Sequence, residues 1–325
     1  MSKRLARTCI AAGCRGTLLL RLAEARVRGR LVILSYHRVL PADRKARYFL
    51  PDLVVTSESF RRQCLALRRH YDVLPLREAV EALQAGRAGS RALAAVTFDD
   101  GYRDNFRYAL PILDGLGLRA TFFVVAGLVG TNEPPWYDRL GGAAKEPAHI
   151  VAEAKCLTPL QRAELVARAS ADGSGNGALC EDDLIMDWGQ LARLADQGHE
   201  IGSHSIRHEM LTQLDDVALE AEVAGSRRIL ENGLGRPVRS FCYPNGDVDD
   251  RVASAVKAAG YRCAVTVEPG FNAPDRDVYR LKRWFIHEGR LTGLRGRASG
   301  TLLRMELCGL ADRVFGRRQV RADLP

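Results

Sequence analysis

Val96-Thr97-Phe98-Asp99-Asp100-Gly101-Tyr102 decides how this 325-residue chain is read. Ahead of it, Arg91-Ala92-Leu93-Ala94-Ala95-Val96 leads into Thr97-Phe98 as a short apolar run of small and β-favouring residues. That is the pattern of a strand buried in a parallel α/β sheet. Two carboxylates stand where the strand ends, and a glycine follows at once. Adjacent residues of an extended chain point to opposite faces. Asp99 and Asp100 can therefore do different jobs at one site if the chain bends there, and Gly101 permits the bend. Ligands in parallel α/β folds gather at the carboxyl ends of strands. An isolated Asp-Asp-Gly is more often a helix-capping turn; the rest of the chain argues otherwise.

Working outward, apolar runs at 31–37, 72–76, 120–125, 199–204, 238–243, 261–267 and 280–286 read as further strands. Segments with helical spacing alternate with them, at 56–71, 77–85, 106–116, 187–197, 215–232 and 250–259. This alternation predicts a parallel α/β fold of about seven strands, and a barrel fits that count better than an open sheet. No glycine-rich phosphate loop follows any strand, which argues against a Rossmann or P-loop domain. Residues 130–190 read as an insertion over one rim, with a charged helix over 155–169 and a Gly-Ser-Gly-Asn-Gly turn at 173–177.

The hydrophobic fraction is 46% and the formal charge +9. The charge is uneven: residues 1–30 and 280–325 each carry a net +7, which leaves the stretch between them acidic. The expected organisation is a basic arm at 1–30, a barrel at 31–290 and a basic extension at 291–325. No zinc-finger spacing and no interleaved aromatics accompany the basic residues, so nucleic acid is not an expected partner. Residues 17–27 and 302–315 are short, apolar and edged with arginine. They suit either packing on the domain or peripheral contact with an anionic membrane surface. No apolar stretch approaches spanning length. Eight scattered cysteines without a CxxC suggest reduced thiols and a cytoplasmic location.

Two more stretches carry chemistry. His204-Ser205-Ile206-Arg207-His208 follows a strand, and two histidines four apart on a helical turn can grip one metal ion. Two imidazoles and one carboxylate form a ligand set for catalytic Zn²⁺ that would also accept Fe²⁺, Co²⁺ or Ni²⁺. Arg239-Ser240-Phe241-Cys242-Tyr243-Pro244-Asn245-Gly246 runs from a strand into a turn, which beside a metal can offer a backbone N–H to a developing oxyanion.

Thr-Phe-Asp-Asp-Gly at 97–101, His-Ser-x-x-His at 204–208 and Arg-x-x-x-Tyr-Pro-x-Gly at 239–246 occur in order at strand ends. Together they resemble the polysaccharide deacetylase family, the NodB-homology domain of carbohydrate esterase family 4, over roughly residues 30–290. The opening Ile33-Leu34-Ser35-Tyr36-His37-Arg38-Val39 looks like members from bacterial exopolysaccharide loci. The resemblance implies a distorted (β/α)7 barrel. It implies Asp99 as catalytic base and Asp100, His204 and His208 as the ligands of a divalent metal. Tyr243 matches the position whose backbone N–H helps hold the oxyanion. Arg283 is a candidate for the arginine that holds the base, and His287 and His37 are rivals for the general acid. The family's Asp-x-x-Asp-Trp pattern is absent. The implied reaction removes N-acetyl groups from an N-acetylhexosamine glycan or its precursor. Alternatives are hydrolysis of a non-sugar C–N acyl bond on the same fold, and a non-catalytic carbohydrate-binding protein.

Overall fold

The apolar run after Arg91 is a strand, Ala92–Phe98, with every residue buried. Its neighbours follow from that burial, because a strand covered on both faces needs a partner on each edge and a layer above and below. In chain order the strands are β1 (Leu31–Tyr36), β2 (Arg38–Leu40), β3 (Val54–Thr56), β4 (Tyr71–Val73), β5 (Ala92–Phe98), β6 (Thr121–Val124), β7 (Glu200–Ser203), β8 (Ser240–Cys242), β9 (Cys263–Val265) and β10 (Trp284–Phe285). This computed structural model describes residues 13, 17–87, 89, 91–141, 146–171, 180–293 and 296–315, without the side chains of 170 and 171. Half of the N-terminal arm, Cys9 and Cys14, the turn at 173–177 and the end of the C-terminal extension lie outside them.

The main sheet runs β10-β1-β5-β6-β7-β8-β9, with β4 beside the first half of β5, and its strand pairs are parallel. The seven-strand path curls on itself. Leu281 bridges Val265 of β9, and three residues later Trp284 pairs with Leu34 of β1. The segment 281–285 thus touches both ends of the path, which leaves β10 only two residues long, against the expected 280–286. β2 and β3 form a separate two-stranded ribbon.

Period-two alternation sorts the residues of β5. Ala92, Ala94, Val96 and Phe98 pack into the larger core, and Phe98 stacks on Phe122 at 4.8 Å. Leu93 and Ala95 face a second apolar cluster with Leu31, Ile33, Cys242, Cys263, Val265 and Leu281, the barrel interior. Helix Leu76–Gln84 closes that interior from the amino-end side with Leu76, Ala79, Val80 and Leu83. Continuing the alternation, Thr97 and then Asp99 lie on the interior face at the carboxyl end of β5.

The helices expected at 56–71, 187–197, 215–232 and 250–259 are Ser57–His70, Trp188–Asp196, Asp216–Leu234 and Asp250–Ala258. The charged helix expected over 155–169 is instead two, Pro147–Cys156 and Pro159–Ala171. Pro159 lacks an amide hydrogen and restricts Thr158, so it opens a new helix rather than continuing the old one. The C-terminal helices Gly300–Leu307 and Leu310–Phe315 place Leu302, Leu303, Met305, Leu307 and Leu310 in the main core, and Gly309 turns the chain between them at φ +69°.

Candidate active site

Asp99 and Asp100 are both buried where β5 ends. Asp100 and Gly101 take left-handed backbone, at φ +71° and +85°. The paired positive φ values turn the chain so that consecutive carboxylates address one cleft. A Cβ on Gly101 would crowd Val124 at 3.0 Å, which adds to the conformational preference for glycine there.

Asp99 is clamped from below. Arg283 Nη1 donates to Asp99 Oδ1 at 2.6 Å, and its Nε donates to the Thr266 carbonyl at 2.8 Å. Ser35 Oγ donates to Asp99 Oδ2 at 3.3 Å, and His37 Nε2 lies 3.8 Å from the same oxygen. Burial alone would raise this carboxyl's pKa. The buried Arg283 guanidinium and His37 outweigh it and hold the group below the usual carboxylate range. Asp99 is therefore an ionised carboxylate with one oxygen committed to arginine and the other facing the cleft.

Asp100 is in the opposite situation. Its Oδ1 is buried without a hydrogen-bond partner, 3.6 Å from His204 Nε2 and 3.7 Å from His208 Nε2. Burial and the adjacent Asp99 push its pKa up to about 8. The ligand atoms of Asp100, His204 and His208 all lie within 4.8 Å of one another. His204 Nδ1 is 2.7 Å from the Cys242 carbonyl, which can only accept. That contact assigns the proton to Nδ1 and leaves a lone pair on Nε2 toward Asp100. Burial lowers the pKa of both imidazoles, so both rest neutral, the form that ligates metals. An orphaned carboxylate oxygen facing two neutral imidazoles lacks a positive charge, and a divalent cation fits the set.

The two histidines do not share a helical turn, as their spacing suggested. Residues 204–210 form a loop in which Ser205 and His208 take left-handed backbone, at φ +62° and +59°. Ser205 Oγ accepts from the His208 amide at 3.0 Å, and Glu222 accepts from the amides of Ile206 and Arg207. The loop brings the imidazoles together, with ring centroids 4.8 Å apart.

Tyr243 lines the cleft, but its amide donates to the Val265 carbonyl at 3.3 Å, as part of the sheet. Two residues on, Asn245 also lines the cleft with φ +57°. Its amide makes no hydrogen bond among the described residues, while the Gly246 amide closes back on Tyr243. The free donor of this turn thus sits at Asn245. His37 lines the cleft, whereas His287 does not; its Nε2 faces Asp52 at 3.0 Å. Burial brings the His37 pKa down to about 4 against the pull of Asp99.

Further residues complete the site, most of them not singled out from the sequence. The insertion supplies Tyr137, whose ring packs edge-on against His208 at 5.0 Å, and Trp136, whose indole donates to the His208 carbonyl at 3.2 Å. Lys155 donates to Asn245 Oδ1 at 2.6 Å across the mouth. Arg38, fully buried, lies 4.4 Å from the ring centroids of both Tyr48 and Tyr102 and pairs with Asp104 and Asp183 at 2.6 and 2.8 Å. Asp138 of the insertion accepts from both tyrosine hydroxyls at 2.7 Å. This network fastens the insertion to the barrel.

The chain matches the polysaccharide deacetylase family over residues 86–264. It belongs to that family. Bacillus subtilis YxkH is 25% identical over 219 residues, and the match covers 67% of this chain and 60% of that protein's length. Chitin deacetylase 2 of Cryptococcus neoformans var. neoformans is 33% identical over 75 residues, 23% of this chain and 16% of the relative. The chain thus spans less than two thirds of these relatives. Streptococcus pyogenes deacetylase PplD superposes with a TM-score of 0.61 at 18% identity, covering 86% of this chain and 98% of that one. IcaB from Ammonifex degensii gives 0.57 at 20%, covering 86% and 97%. Both solved structures share the curled parallel barrel.

Proposed function

We propose that the chain is a metal-dependent hydrolase that removes N-acetyl groups from an N-acetylhexosamine-containing glycan or glycan precursor and releases acetate. The observation that carries this reading is the pairing of an arginine-clamped free carboxylate, Asp99, with the Asp100–His204–His208 cradle beside it. Asp100, His204 and His208 would hold the cation, with Zn²⁺ the first choice and Co²⁺, Ni²⁺ or Fe²⁺ compatible with the same ligands. When bound, it would supply Lewis acidity toward the acetyl carbonyl and the attacking water.

The chain's own residues supply the rest. Asp99 Oδ2 takes a proton from water as the oxygen attacks the acetyl carbon. The Asn245 N–H, rather than that of Tyr243, donates to the developing oxyanion. Arg283 acts through Asp99 as a positioning residue, keeping it ionised and aimed. His37, within reach of Asp99 Oδ2, passes the proton to the leaving nitrogen as the C–N bond breaks, which yields acetate and a free amine. Lys155 and Tyr137 border the mouth and shape what enters.

The described cysteines are free thiols, which suits a cytoplasmic setting. No helix among the described residues is long and apolar enough to cross a membrane.

Acetate release from N-acetylated oligosaccharides, run beside small non-sugar amides and with metal analysis of the purified protein, tests the reading. Asp99→Asn is expected to abolish release while the metal content stays that of the parent. Full turnover in that variant, or release from the small amides alone, would overturn it.

A further inference from the structure

The helix that precedes β1, Leu18–Ala25, is apolar on both sides. Leu20 and Ala23, with Val27 just beyond, are buried against the barrel. Leu18, Leu19 and Leu22 point the other way and are 71%, 53% and 54% exposed. A surface helix normally turns a polar face to water, and three large apolar side chains on one short outer face need a cover.

The charge around that face indicates what covers it. Arg21, Arg26, Arg28 and Arg30 are exposed along the same segment. Next to the helix, a cavity of about 200 Å³ gathers Arg28, Arg69, His70 and Arg91 at its wall. Two carboxylates face this cluster. Glu24 is engaged by Arg304 at 2.6 and 2.8 Å, and Asp72 lies 3.9 Å from Arg91. Among the described residues, Arg28 and Arg69 have no carboxylate partner. The seventeen residues before the helix add Lys3, Arg4, Arg7 and Arg15 and no acidic residue.

We propose that this face docks on an anionic lipid bilayer, with Leu18, Leu19 and Leu22 entering the interface and the Arg28–Arg69–Arg91 cavity receiving lipid phosphate. Leucines flanked by arginines are the combination that interfacial helices use, since apolar burial and attraction to anionic headgroups act together. A second copy of this chain would cover the leucines equally well, but would set the same basic segment against the arginines. The docking face lies at the amino ends of the strands, where Tyr71 and Ala92 begin β4 and β5, opposite Asp99 and Asp100.

The inference goes beyond the deacetylase reading, and its test needs no turnover. The full chain is floated with vesicles of phosphatidylcholine alone and of phosphatidylcholine mixed with phosphatidylglycerol. Binding is expected to the mixed vesicles only and to weaken with salt. Leu18→Ser/Leu19→Ser/Leu22→Ser and, separately, Arg28→Glu/Arg69→Glu are each expected to lower it roughly tenfold without moving the melting temperature. No flotation at low salt, equal flotation with neutral vesicles, or unchanged binding by either variant would overturn the proposal. So would a dimer in solution that the triple serine variant dissolves, since the leucines would then belong to a second copy.

Discussion

Arg283 Nη1 lies 2.6 Å from Asp99 Oδ1, and both groups are almost wholly removed from water. The partners are 184 residues apart and meet because β10 is laid beside β1, which pairs in turn with β5. Removing one member of a buried pair strands the other's charge, at a cost of about 3–5 kcal/mol. Arg283→Met is therefore expected to destabilise the protein by about that much and to lower kcat by roughly 100-fold or more, the scale of general-base catalysis. The double variant with Asp99→Asn should lose far less stability than the two single losses summed. Denaturant unfolding of the full cycle measures the coupling, and simple additivity would show that the pair does not act as a unit.

The cradle predicts a chelator effect. Prolonged dialysis against a strong chelator should eliminate acetate release, and added Zn²⁺ or Co²⁺ should restore it. Asp100→Ala, His204→Ala and His208→Ala should each purify with metal well below one equivalent by elemental analysis. Parent-like metal content in all three would move the ion elsewhere.

The turn at Asn245 separates backbone from side chain. Its φ of +57° suits glycine better than any branched residue. Asn245→Gly retains the amide and is expected to hold kcat within several-fold, whereas Asn245→Ala should cost about 1 kcal/mol of stability through left-handed strain. A loss of kcat in the glycine variant as large as that of Asp99→Asn would assign the role to the carboxamide or to its contact with Lys155.

Arg38 predicts a structural loss without a chemical one. Arg38→Met leaves Asp104 buried and unpaired and is expected to lower unfolding free energy by about 3–5 kcal/mol. The metal content at low temperature should stay unchanged. A stability effect of less than about 1 kcal/mol, the range of a surface ion pair, would show that the hydrogen bonds from Tyr48 and Tyr102 to Asp138 secure the insertion without Arg38.

Much of the fold and of the site is legible in the sequence. The run at 92–98 could be read because small apolar residues without polar alternation leave few options but a doubly buried strand. Asp99, Asp100, His204 and His208 are legible because three motifs occur together, in order and at strand ends; each alone would pass for a turn or a cap. The conformation of 204–208 was not legible. Serine and histidine do not announce a left-handed backbone as glycine does, so the spacing suggested a helical turn. Tyr243 drew attention over Asn245 for a related reason: which amide of a turn stays unbonded depends on where the sheet stops, and composition does not record it. Arg38 stands at a strand end where a site is expected, but its burial is not legible there, since a lone arginine normally lies at the surface. Only the convergence of Tyr48, Tyr102 and Asp138 from distant segments buries it.

Parallel strands give the molecule a polarity that antiparallel ones would cancel. Every carboxyl terminus of the main sheet opens on one rim and every amino terminus on the other. The seven residues of β5 separate the rims by about 20 Å. A support beneath the lower rim would hold the mouth aloft, facing bulk solution. A short sugar attached close to the same support could not bend up to it, while a long flexible strand arriving from above would find it unobstructed. Strand direction thus selects the side from which a substrate approaches.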